Sequence, residues 1–156
     1  MTPAILVLQK HKVRHTVHEY KHDTRISSYG LEAAEKMAVS AQQVFKTLVV
    51  TMADGGFAVG LVPVDQSLSL KAMSRVLGNK KVEMAKPEQV QRVTGYVLGG
   101  VSPLGQKKRL ATVIDEAAQN FSTVFVSAGR RGLEIELSPL DLAALVGAQF
   151  GPIKQS

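Results

Sequence analysis

The strongest single candidate for a chemical role is Lys46. It lies in an apolar segment that predicts a β-strand over residues 44–53. Alternation along a strand places Val44, Lys46, Leu48 and Val50 on one face. An ammonium group among apolar side chains is costly to bury without a partner. Either the side chain extends from the strand end to water, or it points into a pocket and binds a carbonyl, carboxylate or phosphate oxygen.

Two glycine-rich turns could complete such a pocket. One is Gly99-Gly100-Val101-Ser102-Pro103 and the other is Ser127-Ala128-Gly129, and each follows an apolar, strand-like run. Turns of this kind can expose backbone N–H groups toward a ligand. Ordinary turn chemistry explains either segment equally well, so both interpretations remain open at this point.

The histidines suggest a metal site only at first sight. All four lie close together in the chain, at His11, His15, His18 and His22. On a helix this spacing would align them on one face. Residues 15–21 favour a strand instead, and no carboxylate pair supplies the remaining ligands. We therefore predict no metal; in a strand, His18, Tyr20 and His22 share a face, so one of them could line a pocket.

Familiar nucleophile and phosphate motifs are not matched. The segment from Gly100 to Gly105 departs from the G-x-S-x-G elbow because its second glycine comes one residue late. It also differs from a phosphate-binding loop, since Gln106 separates the glycine from Lys107 and no Ser or Thr follows. The chain has no cysteine, which excludes a disulfide scaffold, a thiolate zinc site and a cysteine nucleophile.

The positive charge of the chain is concentrated in clusters. Lys and Arg total 19 against 13 Asp and Glu, for a net charge of +6. Basic clusters bind polyanions because each neutralised phosphate releases counterions; the alternative is an ordinary solvated surface. Aromatic residues do not accompany the clusters, which disfavours a base-stacking platform. The basic residues predicted to contact such a polyanion are Lys71, Arg75, Lys80, Lys81, Lys107, Lys108 and Arg109.

Composition restricts the class of protein further. The 156 residues, 45% apolar and 21% charged, fit a single folded domain over residues 1–156. The apolar runs are shorter than the roughly 20 residues of a membrane span, and residues 1–12 lack the features of a secretory signal. We therefore expect a cytoplasmic protein with no membrane partner.

Capping and turn residues divide the chain into short elements. Helices are predicted after Thr2-Pro3, at 31–37, for one turn at 40–43, from Ser69 to 77, at 87–93 and from Ser138-Pro139 to 146. Strands are predicted at 15–21, 44–53, 57–64, 81–84, 111–114, 123–127 and 132–137, with a hairpin turn at Asp54-Gly55-Gly56. This order predicts an α+β fold.

Three segments together resemble one known family. They are Val44-Phe45-Lys46-Thr47-Leu48, the long stretch from Thr94 to Lys108 that contains Gly-Gly-Val-Ser-Pro, and Ser127-Ala128-Gly129-Arg130-Arg131-Gly132-Leu133. The chain is similar from its first residues nearly to its last to the YbaK/EbsC family, and within it to the YbaK-type Cys-tRNA(Pro) deacylases. This family is related to the editing domain of bacterial prolyl-tRNA synthetases.

The resemblance implies both a fold and a function. The fold is a single domain with a mixed, partly closed, barrel-like sheet of about six or more strands surrounded by short helices. The function is removal of cysteine wrongly attached to tRNA(Pro), beside prolyl-tRNA synthetase and without a cofactor. The alternatives are a related hydrolase that acts on Ala- or Ser-tRNA through an activated water, and a noncatalytic module that binds tRNA or the synthetase.

The resemblance also assigns residues. The essential lysine of the family falls on Lys46, and its substrate-enclosing segment falls on Gly99, Gly100 and Val101, followed by Ser102 and Pro103. Tyr20 matches a pocket tyrosine, and Glu134 stands where close relatives have Asp. Ser127 and Gly129 are expected to contact substrate.

A mechanism implied by the family needs no protein nucleophile. The thiol of the attached cysteine attacks its own ester carbonyl, which releases tRNA and a cyclic thioester. The protein then holds the ester and stabilises developing charge through the amides of residues 99–101 and Lys46. In an alternative role, Lys46 positions the terminal adenosine or its phosphate.

Overall fold

Helices and strands alternate along the chain in the computed structural model, which describes residues 1–78 and 81–156. The helices are α1 (Pro3–Lys10), α2 (Tyr29–Met37), α3 (Leu70–Val76), α4 (Pro87–Thr94) and α5 (Pro139–Val146), with a 3-10 helix at Glu116–Asn120. The strands are β1 (Thr16–Glu19), β2 (Phe45–Met52), β3 (Phe57–Pro63), β4 (Val82–Met84), β5 (Ala111–Asp115), β6 (Val124–Arg130), β7 (Leu133–Leu137) and β8 (Gln149–Gly151). The predicted α+β class is confirmed.

The strands form two sheets. The larger sheet is mixed and has the order β4-β2-β3-β5-β8, with antiparallel pairs from β4 to β3 and parallel pairs from β3 to β8. The smaller sheet, β1-β7-β6, is antiparallel. A bridge between Val44 and Phe125 joins the start of β2 to β6. The expected fold has one partly closed, barrel-like sheet. Across the described residues the strands instead form two sheets that meet at this bridge, and no closed barrel is found.

Local sequence signals account for the starts of three helices and for one hairpin. The side chains of Thr2, Ser69 and Ser138 accept hydrogen bonds from backbone N–H groups in the first turns of α1, α3 and α5, as their types predict. The hairpin between β2 and β3 closes where the N–H of Gly56 donates to the Asp54 carboxylate at 3.0 Å and Gly55 takes a φ of +90°.

The segment predicted as one helical turn at residues 40–43 is a single hydrogen-bonded turn that does not continue into a helix. The N–H of Gln43 donates to the carbonyl oxygen of Ser40 at 3.0 Å, and the Ser40 hydroxyl accepts from the N–H of Gln42 at 3.2 Å. The side-chain amide of Gln43 does not return to the backbone of Ser40, as a capping box requires. It donates instead to the carbonyl oxygen of Thr123 at 2.9 Å, because the chain enters β2 directly afterwards.

Apolar side chains fill both faces of the larger sheet. One cluster lies between the sheets and α1 and includes Leu8, Ile114 and Ile135, while a second covers the opposite face around Met73 and Ile153. A third, smaller cluster of Ala33, Ala34, Val44, Val64 and Phe125 holds α2 against the bridge between the sheets. The packing of α2 at this junction creates one wall of the candidate site. None of the helices in the described ranges is long and apolar enough to cross a membrane.

Candidate functional site

A pocket of about 410 Å³ opens where the two sheets meet. Its walls are the start of α2, the first half of β2, the turn before Val101, and facing residues of the smaller sheet. The pocket brings together six of the residues predicted from the sequence. They are Tyr20, Lys46, Gly99, Val101, Ser127 and Glu134.

Lys46 supplies the positive charge of the pocket. It lies near the start of β2, opposite Val62 of β3, and lines the pocket at the junction of the sheets. Burial lowers the pKa of its ammonium group, and the charge of Asp65 partly opposes this shift. Within the described residues Lys46 has no ion-pair partner, and its ammonium group is therefore available to an oxygen of a ligand.

Glu134 contributes a buried carboxyl group. It lies on β7 between Ser127 of β6 and His18 of β1 and is only 7% exposed. Desolvation raises the pKa of Glu134 to about 8, so at neutral pH the group holds a proton and can donate a hydrogen bond. Burial, with the charge of Glu134 as a second cause, raises the pKa of Tyr20 to about 12.

The glycine turn lies close to two side chains. The N–H of Gly100 donates to the carbonyl oxygen of Val97 at 3.0 Å, and Gly99 has a φ of +86°. A Cβ atom on Gly99 would lie 2.5 Å from Nε of Arg131 and 2.8 Å from the ring of Tyr29. A Cβ atom on Gly100 would lie 2.7 Å from the Cα atom of Arg130. Both positions therefore require glycine. Gly99 is required for its positive φ and for space, and Gly100 is required for space alone.

Four predicted site residues do not line the pocket. Gly100 packs against the backbone of Arg130, and Gly129 packs against the Tyr96 ring. The buried Ser102 hydroxyl accepts from the N–H of Leu104 at 3.2 Å. Pro103 borders a second cavity of about 230 Å³. These residues shape the backbone behind the pocket wall.

Ser127 and Gly129 belong to an irregularity in the smaller sheet. The register between β6 and β7 shifts between Ser127 and Arg130, and Gly129 there has a φ of +111°. The Ser127 hydroxyl accepts from the N–H of Gly129 at 3.1 Å. Bulges of this kind redirect side chains, and this one separates Ser127, in the pocket, from Arg131 on its rim.

Two lining residues, Tyr29 and Thr47, have no role in the sequence-based prediction. The Thr47 hydroxyl oxygen is buried and has no hydrogen-bond partner within the described residues. Such a group usually has a partner, so it is available to a ligand. The sequence does contain a signal for Thr47, because alternation places its hydroxyl on the face of β2 that otherwise carries the apolar Phe45 and Val49. Tyr29 carries no comparable signal, because its place depends on how α2 packs.

A buried charge cluster holds α2 behind the pocket. Glu32 is 4% exposed and bonds to Nδ1 of His22 at 2.6 Å, the N–H of Asp23 at 2.8 Å and Nζ of Lys36 at 3.1 Å. Burial alone would raise the pKa of Glu32, but these partners outweigh it and the pKa is lowered. His22 is thus used to fix α2, and no three His, Asp or Glu side chains of the described ranges are grouped as a metal site requires.

Those of the predicted tRNA-contacting residues that the structure describes are exposed. Lys71 and Arg75 lie on α3, which packs against β4 close to Lys81. The residues Lys107, Lys108 and Arg109 follow α4, and the first two hydrogen-bond to its last carbonyl groups. Lys80 lies outside the described residues.

Fold and pocket together define a class: a small α+β domain whose pocket, at the junction of two sheets, offers an ammonium group, a protonated carboxyl group and a glycine turn to one ligand. Residues 26–145 match the family described as the aminoacyl-tRNA editing domain. The chain belongs to this family, which makes it an aminoacyl-tRNA deacylase, and the resemblance to YbaK/EbsC proteins is confirmed.

Individual relatives agree with this assignment. The chain is 37% identical to EbsC of Enterococcus faecalis, named as a candidate Cys-tRNA(Pro)/Cys-tRNA(Cys) deacylase, over 97% of this chain and 92% of EbsC. It is 27% identical to a proline–tRNA ligase of Trichlorobacter lovleyi over 75% of this chain and 22% of the ligase. A solved structure described as a candidate trans-editing enzyme for prolyl-tRNA synthetase has a TM-score of 0.86 and 28% identity, covering 99% and 96% of the two chains.

Proposed function

We propose that this protein is a trans-editing deacylase that removes cysteine from mischarged Cys-tRNA(Pro). The observation that carries the proposal is a pocket without a protein nucleophile paired to a base. No histidine or cysteine is among its described lining residues. Within the described part of the chain, none of the lining hydroxyl groups of Ser28, Thr47 and Ser127 is hydrogen-bonded to a side chain that could act as a base. The nucleophile is therefore expected to come from the substrate or from water.

The attached cysteine can supply that nucleophile. Its sulfur forms a bond to the ester carbonyl carbon, the bond between this carbon and the ribose oxygen breaks, and the thiol proton passes to the leaving oxygen. The products are tRNA and a cyclic thioester. Intramolecular attack benefits from proximity, with effective molarities of about 10⁵ M or more in well-oriented systems.

The pocket residues would then stabilise and orient. Because the N–H of Gly100 already donates to Val97, we assign the charge that develops on the carbonyl oxygen to the backbone amides of Gly99 and Val101 and the ammonium group of Lys46. Donors fixed beforehand act most strongly where water is excluded. The protonated carboxyl group of Glu134, with Tyr20 and Thr47, would orient the aminoacyl group.

The relatives support action in trans. The name of EbsC refers to Cys-tRNA(Pro), and in the T. lovleyi ligase a similar sequence covers only 22% of a much longer chain. We propose that the present chain performs the same editing as a separate protein in the cytoplasm, with prolyl-tRNA synthetase as its partner.

A panel of charged tRNAs tests the chemistry. With Cys-, Ser- and Ala-tRNA(Pro) offered at equal concentration, we expect release of cysteine at least about tenfold faster than serine and no accelerated release of alanine. The reason is that a thiol is the better nucleophile and alanine has none. Mass spectrometry should find the cyclic thioester as the first product. Equal rates for all three would contradict the thiol mechanism and favour an activated water.

Salt dependence tests the role of the basic clusters. The plot of log K for tRNA binding against log salt has a negative slope. Changing Lys107, Lys108 and Arg109 together to Gln should make this slope less negative, by roughly 0.7 to 0.9 for each lost phosphate contact. The control is Lys154→Gln, which also removes an exposed charge. An unchanged slope in the triple variant would exclude this surface from tRNA binding. A protein that binds tRNA with this salt dependence but releases no amino acid would be the noncatalytic module.

A further inference from the structure

The rim of the pocket contains an arginine that the proposed mechanism has not used. The guanidinium group of Arg131 lies with its carbon 4.3 Å from the centre of the Tyr29 ring. Its Nη2 atom donates to the carbonyl oxygen of Leu98 at 2.7 Å. Tyr29, Leu98 and Gly99 all line the pocket, so one exposed side chain links two of its walls.

The turn that Arg131 contacts has a defined geometry. It runs from Val97 to Gly100 and is closed by the hydrogen bond between these two residues. Leu98 does not have a positive φ, whereas Gly99 has a φ of +86°. A negative φ followed by a positive one defines a type II turn. Type I and type II turns differ by rotation of the central peptide group, here the one between Leu98 and Gly99.

The hydrogen bond to Leu98 therefore determines where the amide of Gly99 points. In a planar trans peptide the C=O and N–H groups point in opposite directions. Because the guanidinium group holds the Leu98 oxygen, the Gly99 N–H is directed away from Arg131. The Tyr29 ring and Nε of Arg131 both lie where a Cβ atom of residue 99 would be, so the turn packs closely against these two side chains.

We propose that Arg131 is a positioning residue that fixes the Leu98–Gly99 peptide in the orientation in which the Gly99 N–H serves the ester oxyanion. This inference rests on the proposed function, since it gives the turn a role in the proposed deacylation. Glycine at position 99 makes a rotated peptide accessible, and a charge-assisted hydrogen bond from Arg131 opposes that rotation.

The decisive variant is Arg131→Ala, assayed with Cys-tRNA(Pro). We expect kcat to fall roughly tenfold to a hundredfold, less than the roughly hundredfold to thousandfold loss on removing an oxyanion donor, because the Gly99 N–H is displaced and not removed. KM should change less than about twofold. Millimolar methylguanidinium should restore part of kcat, whereas an ammonium salt at the same ionic strength should not. The matched control is Arg130→Ala, which removes the same charge from the neighbouring residue, whose side chain faces Glu19 at 3.8 Å, and should keep wild-type kcat.

A spectroscopic measurement separates this inference from the proposed function. In Arg131→Ala without tRNA, the carbonyl ¹³C resonance of Leu98 should move upfield and the amide resonance of Gly99 should shift, whereas Arg130→Ala should leave both in place. Unchanged kcat in Arg131→Ala, a loss confined to KM, or unmoved resonances would each overturn the positioning role. A wild-type protein that releases no cysteine would overturn the proposed function, while the resonances would still report on Arg131.

Discussion

Replacing Lys46 by methionine is expected to reduce kcat for Cys-tRNA(Pro) deacylation by at least about a hundredfold while leaving the protein folded. Lys46 places the only charged group of β2 inside the pocket. Methionine keeps most of the aliphatic length and removes the ammonium group. Because Lys46 forms no ion pair in the described part of the chain, its loss leaves no buried carboxylate without a partner. The midpoint of thermal unfolding should therefore remain near that of the wild type.

The kinetic constants decide which role Lys46 has. A fall in kcat at constant KM means that the ammonium group acts on the transition state, whereas a rise in KM alone means that it holds the terminal adenosine or its phosphate. Burial lowers the pKa of Lys46, so activity that needs its charge should decline as the pH rises through that lowered value. Lys154→Met is the control for loss of a lysine elsewhere. A folded Lys46→Met protein with wild-type kcat and KM would remove Lys46 from the site.

Local chemistry explains why much of the fold could be predicted from the sequence. The caps at Thr2, Ser69 and Ser138 and the hairpin at Asp54 each depend on a few consecutive residues. Strand alternation likewise sufficed to identify Lys46 as an unusual charge. Strand β8 was not predicted, because its pairing with β5 depends on a distant part of the chain.

The pocket depends on contacts that no local pattern reports. It forms where Val44 meets Phe125, and its rim joins Tyr29, Gly99 and Arg131, which come from three separate segments. The family resemblance supplied Tyr20 and Glu134, yet the protonation of Glu134 follows from its burial alone. Gly100, Ser102, Pro103 and Gly129 lie in the same motifs as the lining residues, which is why the sequence could not separate supporting positions from lining ones.

The second large effect concerns Glu134, and it is an effect on stability. A group whose pKa is raised in the folded state binds its proton more tightly there than in the unfolded chain. Its contribution to the free energy of unfolding is therefore fully present below the unfolded pKa of 4.5. This contribution is lost as the pH rises through about 8, the pKa in the folded state. The cause is desolvation, since ionisation would leave a charge in a site that is only 7% exposed.

Glu134→Gln should therefore become progressively more stable than the wild type between pH 5 and 9. The amide replaces a neutral carboxyl group of similar shape at low pH and cannot ionise at high pH. At pH 9 the difference in the free energy of unfolding should reach roughly 3 to 5 kcal/mol. Urea unfolding at intervals of pH measures it, and taking the difference between the two proteins cancels the titration of other groups.

Glu136→Gln provides a control of opposite sign on the same strand. The Thr123 hydroxyl at 2.6 Å, assisted by His18 at 2.9 Å, lowers the pKa of Glu136. Its stabilisation is present above the unfolded pKa and lost as the pH falls, so Glu136→Gln should be less stable than the wild type at neutral pH. The stability of Glu136→Gln should still decline toward pH 9, because Glu134 is still present in this variant. A wild-type curve parallel to that of Glu134→Gln would mean that Glu134 ionises at its ordinary pKa, so the pocket would present a carboxylate to its substrate.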